Sequence, residues 1–177
     1  AGTYFENIIW PATNGIKLIG SGQDECFIDG SQESTVIQFE DDSFFYEGLI
    51  ESIDSSTVIS DFTIQNGNGN DTYWGHAGGG IQMWSSSPKL VDLTFSNNSA
   101  IDIGGAIFMY GSSSTLTNVT FDENTVLEAG GGDWGGGAIL AYESNLILTN
   151  IVFNGNGRDN EGYGGAMYMD SGVATLT

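Results

Sequence analysis

Four carboxylates stand in glycine-rich stretches beside large aromatic residues. Asp71 precedes Tyr73 and Trp74, Asp133 precedes Trp134, and Asp159 and Glu161 precede Tyr163. Such neighbours allow two kinds of chemistry. Loop carboxylates and loop carbonyls together hold a hard divalent cation, and Ca²⁺ is the one candidate. Aromatic rings set among polar groups stack on sugars or pack against a protein surface. No other cofactor is required by any pattern in the chain.

Other chemistries find less support. The chain carries 23 acidic residues against 3 basic ones, for a net charge of −20. Contacts to phosphate need Lys and Arg, so nucleic acid is not an expected partner. Insertion of this segment into a membrane is not expected either, because no apolar run is long enough to span one. His76 is the single histidine and lacks a His or Cys partner for a transition metal. Cys26 is alone, precedes the apolar pair Phe27-Ile28, and reads as a small buried residue. A glycosidase needs two carboxyls flanking one bond. With so many acids, chance pairs are common, and no catalytic residue is assigned.

The elements that must carry these loops are visible as an internal repeat. Short β-prone runs end in Phe-x-x-Asn or its equivalent: Ile59–Ile64, Leu90–Phe95, Leu116–Phe121 and Leu148–Phe153. A variable loop follows each, then a glycine pair leading into an apolar strand, as in Gly104-Gly105-Ala106-Ile107 and Gly136-Gly137-Ala138-Ile139. From Ile81 to Ile107 to Ile139 to Met167 the steps are 26, 32 and 28 residues. Strands of constant pattern joined by loops of changing length describe a β-solenoid, in which each coil touches only its neighbours. The expected fold is all-β, a parallel β-helix of about six coils.

Period-2 alternation then assigns faces. Ile81/Met83, Ile107/Met109, Ile139/Ala141 and Met167/Met169 should point inward, with Val91, Leu93 and Phe95 and their equivalents on a second inner wall. Phe95, Phe121 and Phe153 should stack coil on coil. So should Asn98, Asn124 and Asn156, with Gly67 closing that row. The opposite face of the glycine strands carries Trp84, Phe108, Tyr110, Tyr142 and Tyr168, an outward aromatic row that either stays open to a ligand or is covered by the long loops as a satellite cluster.

Residues 1–177 read as one domain. Residues 1–50 look like degenerate first coils, and 56–177 are regular repeats that stop within a strand. An open solenoid end exposes unpaired edge groups. The expected partners therefore include further β-helix coils of the same chain, and the segment reads as a mature piece of a longer protein.

The repeat resembles the right-handed parallel β-helices of the pectin-lyase-like superfamily. The pairs Gly104-Gly-Ala-Ile107 with Phe121-x-x-Asn124, and Gly136-Gly-Ala-Ile139 with Phe153-x-x-Asn156, are similar to repeats of bacterial polymorphic outer-membrane and autotransporter passenger proteins. That resemblance implies a secreted or cell-surface, bacterial location. Lyases of the superfamily use a Lys or Arg as base, but Lys17, Lys89 and Arg158 fall in separate coils without a carboxylate cluster. Hydrolase relatives carry paired aspartates, Gly-His-Gly and Arg-x-Lys. Asp41-Asp42 and Gly75-His76-Ala77 are faint echoes, and Arg-x-Lys is missing. The expectation is a non-catalytic adhesin, stalk, or glycan- or partner-binding surface, with polysaccharide or a cell-surface protein as ligand. The alternative is a polysaccharide-active lyase or hydrolase whose site lies in the long loops or outside the segment.

Overall fold

The computed structural model describes residues 1–39, 53–73, 75–127, 135–158 and 165–177. They form a parallel β-solenoid. The first coils supply β1 (Gly2–Phe5), β2 (Ile8–Trp10), β3 (Lys17–Ile19), β4 (Cys26–Asp29) and β5 (Ile37–Phe39). The next supplies β6 (Val58–Gln65), the pair β7 (Asn70–Thr72) and β8 (Gly75–Ala77), and β9 (Ile81–Trp84). Three further coils give β10 (Lys89–Ser96), β11 (Ser99–Ala100) and β12 (Ile107–Tyr110); β13 (Thr115–Asp122), β14 (Thr125–Val126) and β15 (Ile139–Tyr142); and β16 (Asn145–Asn154), β17 (Gly157–Arg158) and β18 (Met167–Asp170). β19 (Val173–Leu176) begins another.

Two long parallel sheets face each other across the core. One runs β1-β4-β6-β10-β13-β16-β19, with β3 also paired to β6; the other runs β18-β15-β12-β9-β5-β2. A short sheet, β11-β14-β17, closes the third side. β3 and β4 together match the single strand β6, since Leu18 aligns with Ile59 and Ile28 with Ile64. The degenerate first coils are thus in register with the regular ones, and residues 20–25 are an insertion. Gln23 in that insertion accepts the hydroxyls of Thr63 and Thr94, at 2.7 and 2.9 Å.

The corners explain the glycine and Asx positions. Asp61, Asp92, Asn118 and Asn150 have φ of 64°, 50°, 54° and 52°. They fall at one corner, in left-handed geometry that Asn and Asp tolerate. At another corner stand Gly78, Gly104 and Gly136, also with positive φ. The next glycine is confined by space instead. A Cβ on Gly105 would lie 2.3 Å from the carbonyl oxygen of Gly137, and one on Gly137 would lie 2.3 Å from that of Gly157.

The inner rows follow the expected strands with one correction. Ile81, Met83, Ile107, Met109, Ile139 and Ala141 are fully buried, as are Leu93 and Phe95. Val91, expected inside, is only half-buried, and its neighbour Leu90 takes the inner place. The left-handed residue Asp92 shifts the pleat by one, so Leu90 and Leu93, three apart, both point in. Phe95, Phe121 and Phe153 stack at 5.1 Å per step with interplanar angles of 9° and 14°.

Candidate binding surface

The outer face of the second sheet is where the aromatic residues gather. Parallel pairing aligns Trp84 with Tyr110, Tyr142 and Asp170 in one row, and Gln82 with Phe108, Leu140 and Tyr168 in the next. The two rows differ in cover. Phe108 and Leu140 are buried against Ala77 and Ile103, with Trp84, Tyr110, Tyr142 and Tyr168 half-buried around them. At Phe108 the second of the two expected arrangements holds: the ring is on the outer face but covered, as part of a small second core. The chain through β8 and the turn ending at Ile103 lies over it, and an apolar ring gains more from that contact than from water.

Trp84, Tyr110 and Tyr142 form the accessible row. Trp84 and Tyr110 lie 5.4 Å apart between ring centroids, and Tyr110 and Tyr142 lie 5.5 Å apart at 11°. Because the rings cover one another along the axis, the row offers edges and hydroxyls rather than open faces. Burial raises the Tyr110 pKa, and the carboxylate of Glu143, which accepts a hydrogen bond from Tyr110, raises it further. The Tyr110 hydroxyl thus keeps its proton into alkaline pH. Asp170 continues the row at one end.

Serines lock the backbone behind this row. The hydroxyls of Ser86, Ser112 and Ser144 donate to the carbonyls of Trp84, Tyr110 and Tyr142. Ser86 N–H donates to the Ser112 hydroxyl, and Ser112 N–H to that of Ser144, at 3.2 and 3.1 Å. The recurring aromatic-x-Ser in the sequence is the signal for this ladder, and it is absent from the reading of the repeats above.

The loop of residues 66–77 contains a hairpin. β7 and β8 pair antiparallel, with Asp71 opposite His76. Tyr73 is 69% exposed near its turn. His76 serves the fold: its N–H donates to Asp102 at 2.7 Å, its carbonyl accepts from Asp102 and Ile103, and its Nδ1 accepts from the Ile101 N–H at 3.4 Å. Trp74, Trp134, Tyr163, Asp133, Asp159 and Glu161 lie outside the described residues. Among the described residues, no three His, Cys, Asp or Glu side chains are grouped as a metal site. Lys17 and Lys89 both align with Val58, on opposite sides of it. Cys26 is buried, as expected.

Parallel strands in constant register, with the coil corners repeating, are matched by a family described as "Right handed beta helix region", over residues 3–177. The chain belongs to the right-handed β-helix family. Comparisons with curated proteins and with solved structures gave no match. In this right-handed β-helix the aromatic row runs parallel to the solenoid axis, one ring per coil. Its spacing is set by the backbone ladder rather than by the side chains themselves.

Proposed function

We propose that this β-helix works without catalysis, as a binding surface on a secreted or cell-surface bacterial protein of the adhesin or stalk type. The observation that carries the reading is the row Trp84–Tyr110–Tyr142, held at one ring per coil on an outer face. A row of ring edges, phenol hydroxyls and the carboxylates of Glu143 and Asp170 offers both apolar contact and hydrogen bonds along a line. An extended, hydroxyl-rich polymer fits a linear array of that kind. The strong negative charge of the chain favours a neutral or amino-bearing glycan over a uronate. Tyr73, beside the hairpin turn, is a further exposed ring.

The test is binding to a panel of neutral, amino-bearing and acidic polysaccharides by the intact chain and by Trp84→Ala/Tyr110→Ala. Retained neutral-glycan binding in the double variant, with the fold intact by circular dichroism, would sink this reading. For calcium, the loop acids Asp71, Asp133, Asp159 and Glu161 are the proposed ligands. A melting temperature unmoved by calcium or chelator rejects that assignment.

A further inference from the structure

Tyr110 and Tyr142 occupy the same position of successive coils, so their backbones stand one strand step apart. That step is held from several directions. The Gly111 N–H donates to the Tyr142 carbonyl at 3.0 Å, and the Ser112 N–H donates to the Ser144 hydroxyl at 3.1 Å. Each tyrosine carbonyl also accepts a serine hydroxyl from two residues on, Ser112 for Tyr110 and Ser144 for Tyr142. With the backbones fixed, the phenols form a near-parallel pair, 5.5 Å between centroids and 11° between planes. Trp84, on the other side of Tyr110, is tilted by 36°. Both phenols are half-buried and pack against the cluster of Phe108 and Leu140.

Two phenols placed this way have a reaction that a lone tyrosine lacks. Removing one electron from a phenol, together with its proton, leaves a phenoxyl radical. Its spin lies on the oxygen and on the ring carbons ortho and para to it. The para carbon already carries the side-chain stem, so an ortho carbon is the one free to form a bond. A second phenol held at stacking distance makes that coupling unimolecular. The proton also has a place to go, because the Glu143 carboxylate accepts the hydrogen bond of the Tyr110 hydroxyl.

We propose that Tyr110 and Tyr142 are a site of oxidative cross-linking, in which a carbon–carbon bond joins their ortho positions and Glu143 accepts the Tyr110 proton. The oxidant is external, a one-electron oxidant fed by peroxide. Each phenol gives up one electron and one proton, and the two ring-carbon radicals form the new bond. The hydrogens on the joined carbons then leave as protons while the oxygens regain protons, which restores both phenols. In total the pair loses two hydrogen atoms, and one peroxide is reduced to two waters. The product staples adjacent coils and closes the stretch of chain between them, which restricts the unfolded state. This use of the pair does not depend on any ligand of the aromatic row. Exposure alone would direct oxidation elsewhere, since Tyr73 and Tyr4 are 69% and 49% exposed, and would give bonds between chains.

The test treats the dilute 177-residue chain with photogenerated ruthenium(III) tris-bipyridyl and persulfate, a small oxidant that reaches half-buried rings. Persulfate then takes the electrons and becomes sulfate. Dityrosine fluorescence in the monomer is expected, with peptide mapping that joins the Tyr110 peptide to the Tyr142 peptide. The cross-linked monomer should unfold at a higher urea midpoint than the untreated chain. Tyr110→Phe and Tyr142→Phe, each folded by circular dichroism, should lose the intrachain dityrosine. Glu143→Gln should form it several-fold more slowly at neutral pH. Dityrosine found only between chains overturns the proposal, as does intrachain dityrosine that survives either Phe variant. An unchanged rate in Glu143→Gln overturns the role given to that carboxylate.

Discussion

The side-chain oxygen of Asn124 accepts two hydrogen bonds from Asn98, one from its backbone N–H and one from its amide nitrogen, each 3.0 Å long. Asn156 repeats the arrangement toward Asn124, and the oxygen of Asn98 accepts the N–H of Gly67 at 3.0 Å. The amide of Asn124 also donates to the carbonyl of Phe95. The bonds among Gly67, Asn98, Asn124 and Phe95 are buried, where water cannot replace them, while those to Asn156 are part-buried. Asn124→Ala leaves two donors of Asn98 and the carbonyl of Phe95 without it. A loss of about 2–4 kcal/mol is expected from leaving buried groups unpaired. Urea unfolding, with the denaturant dependence unchanged, measures it.

Phe121 lies between Phe95 and Phe153 and is fully buried, whereas Phe153 is 37% exposed at the end of the stack. Phe121→Ala should cost about 3–5 kcal/mol, the range for a large buried ring. Phe153→Ala should cost distinctly less. Equal losses in thermal or urea unfolding would show that the stack is not the source of the stability.

Two glycines of the repeat should respond oppositely. A Cβ on Gly105 meets backbone of the next coil at 2.3 Å, and no side-chain rotation relieves that. Gly105→Ala must push two coils apart and should lower the melting temperature markedly. A Cβ on Gly165 meets nothing within 4 Å. Gly165→Ala should be neutral or stabilise by up to about 1 kcal/mol, through the unfolded chain.

Asp29 sets an acid limb. Burial raises its pKa, but hydrogen bonds from Gln65, the Ser31 N–H and Asn66 outweigh burial and hold it below the ordinary carboxylate range. A depressed folded pKa stabilises the fold above the unfolded value of about 3.9, and the contribution fades as pH falls through the folded pKa. Asp29→Asn should be less stable than wild type at neutral pH, with the gap narrowing in acid. A gap constant across that range, in urea midpoints, would contradict the assignment.

Legibility in the sequence follows from how local each cause is. Phe-x-x-Asn and Gly-Gly-Ala repeat with fixed offsets, so the Phe stack, the Asn ladder closed by Gly67 and the inner rows could be read directly. Period-2 alternation fails across a left-handed residue, which is why Val91 does not point inward; Asp or Asn recurring at 61, 92, 118 and 150 is a turn signal in the sequence, but the shift of the pleat that follows it shows only in the backbone. Phe108 looked outward for the same strand logic, correctly as to face; what covers it comes from Ala77 and Ile103, in loops whose path no pattern encodes. The register of residues 17–29 was hidden by the insertion at residues 20–25, which splits one strand into β3 and β4. Of the aromatic residues singled out for binding, Trp84, Tyr110 and Tyr142 form a row because they sit at one position of successive coils.

The most direct test of a non-catalytic binding surface is to incubate the chain with the glycans it binds and with uronate polymers, and to follow both retention and new chain ends. The account predicts retention that falls in Trp84→Ala/Tyr110→Ala and no growth of reducing sugars or unsaturated ends with time. Turnover that tracks the protein concentration would contradict it and assign the β-helix to polysaccharide cleavage.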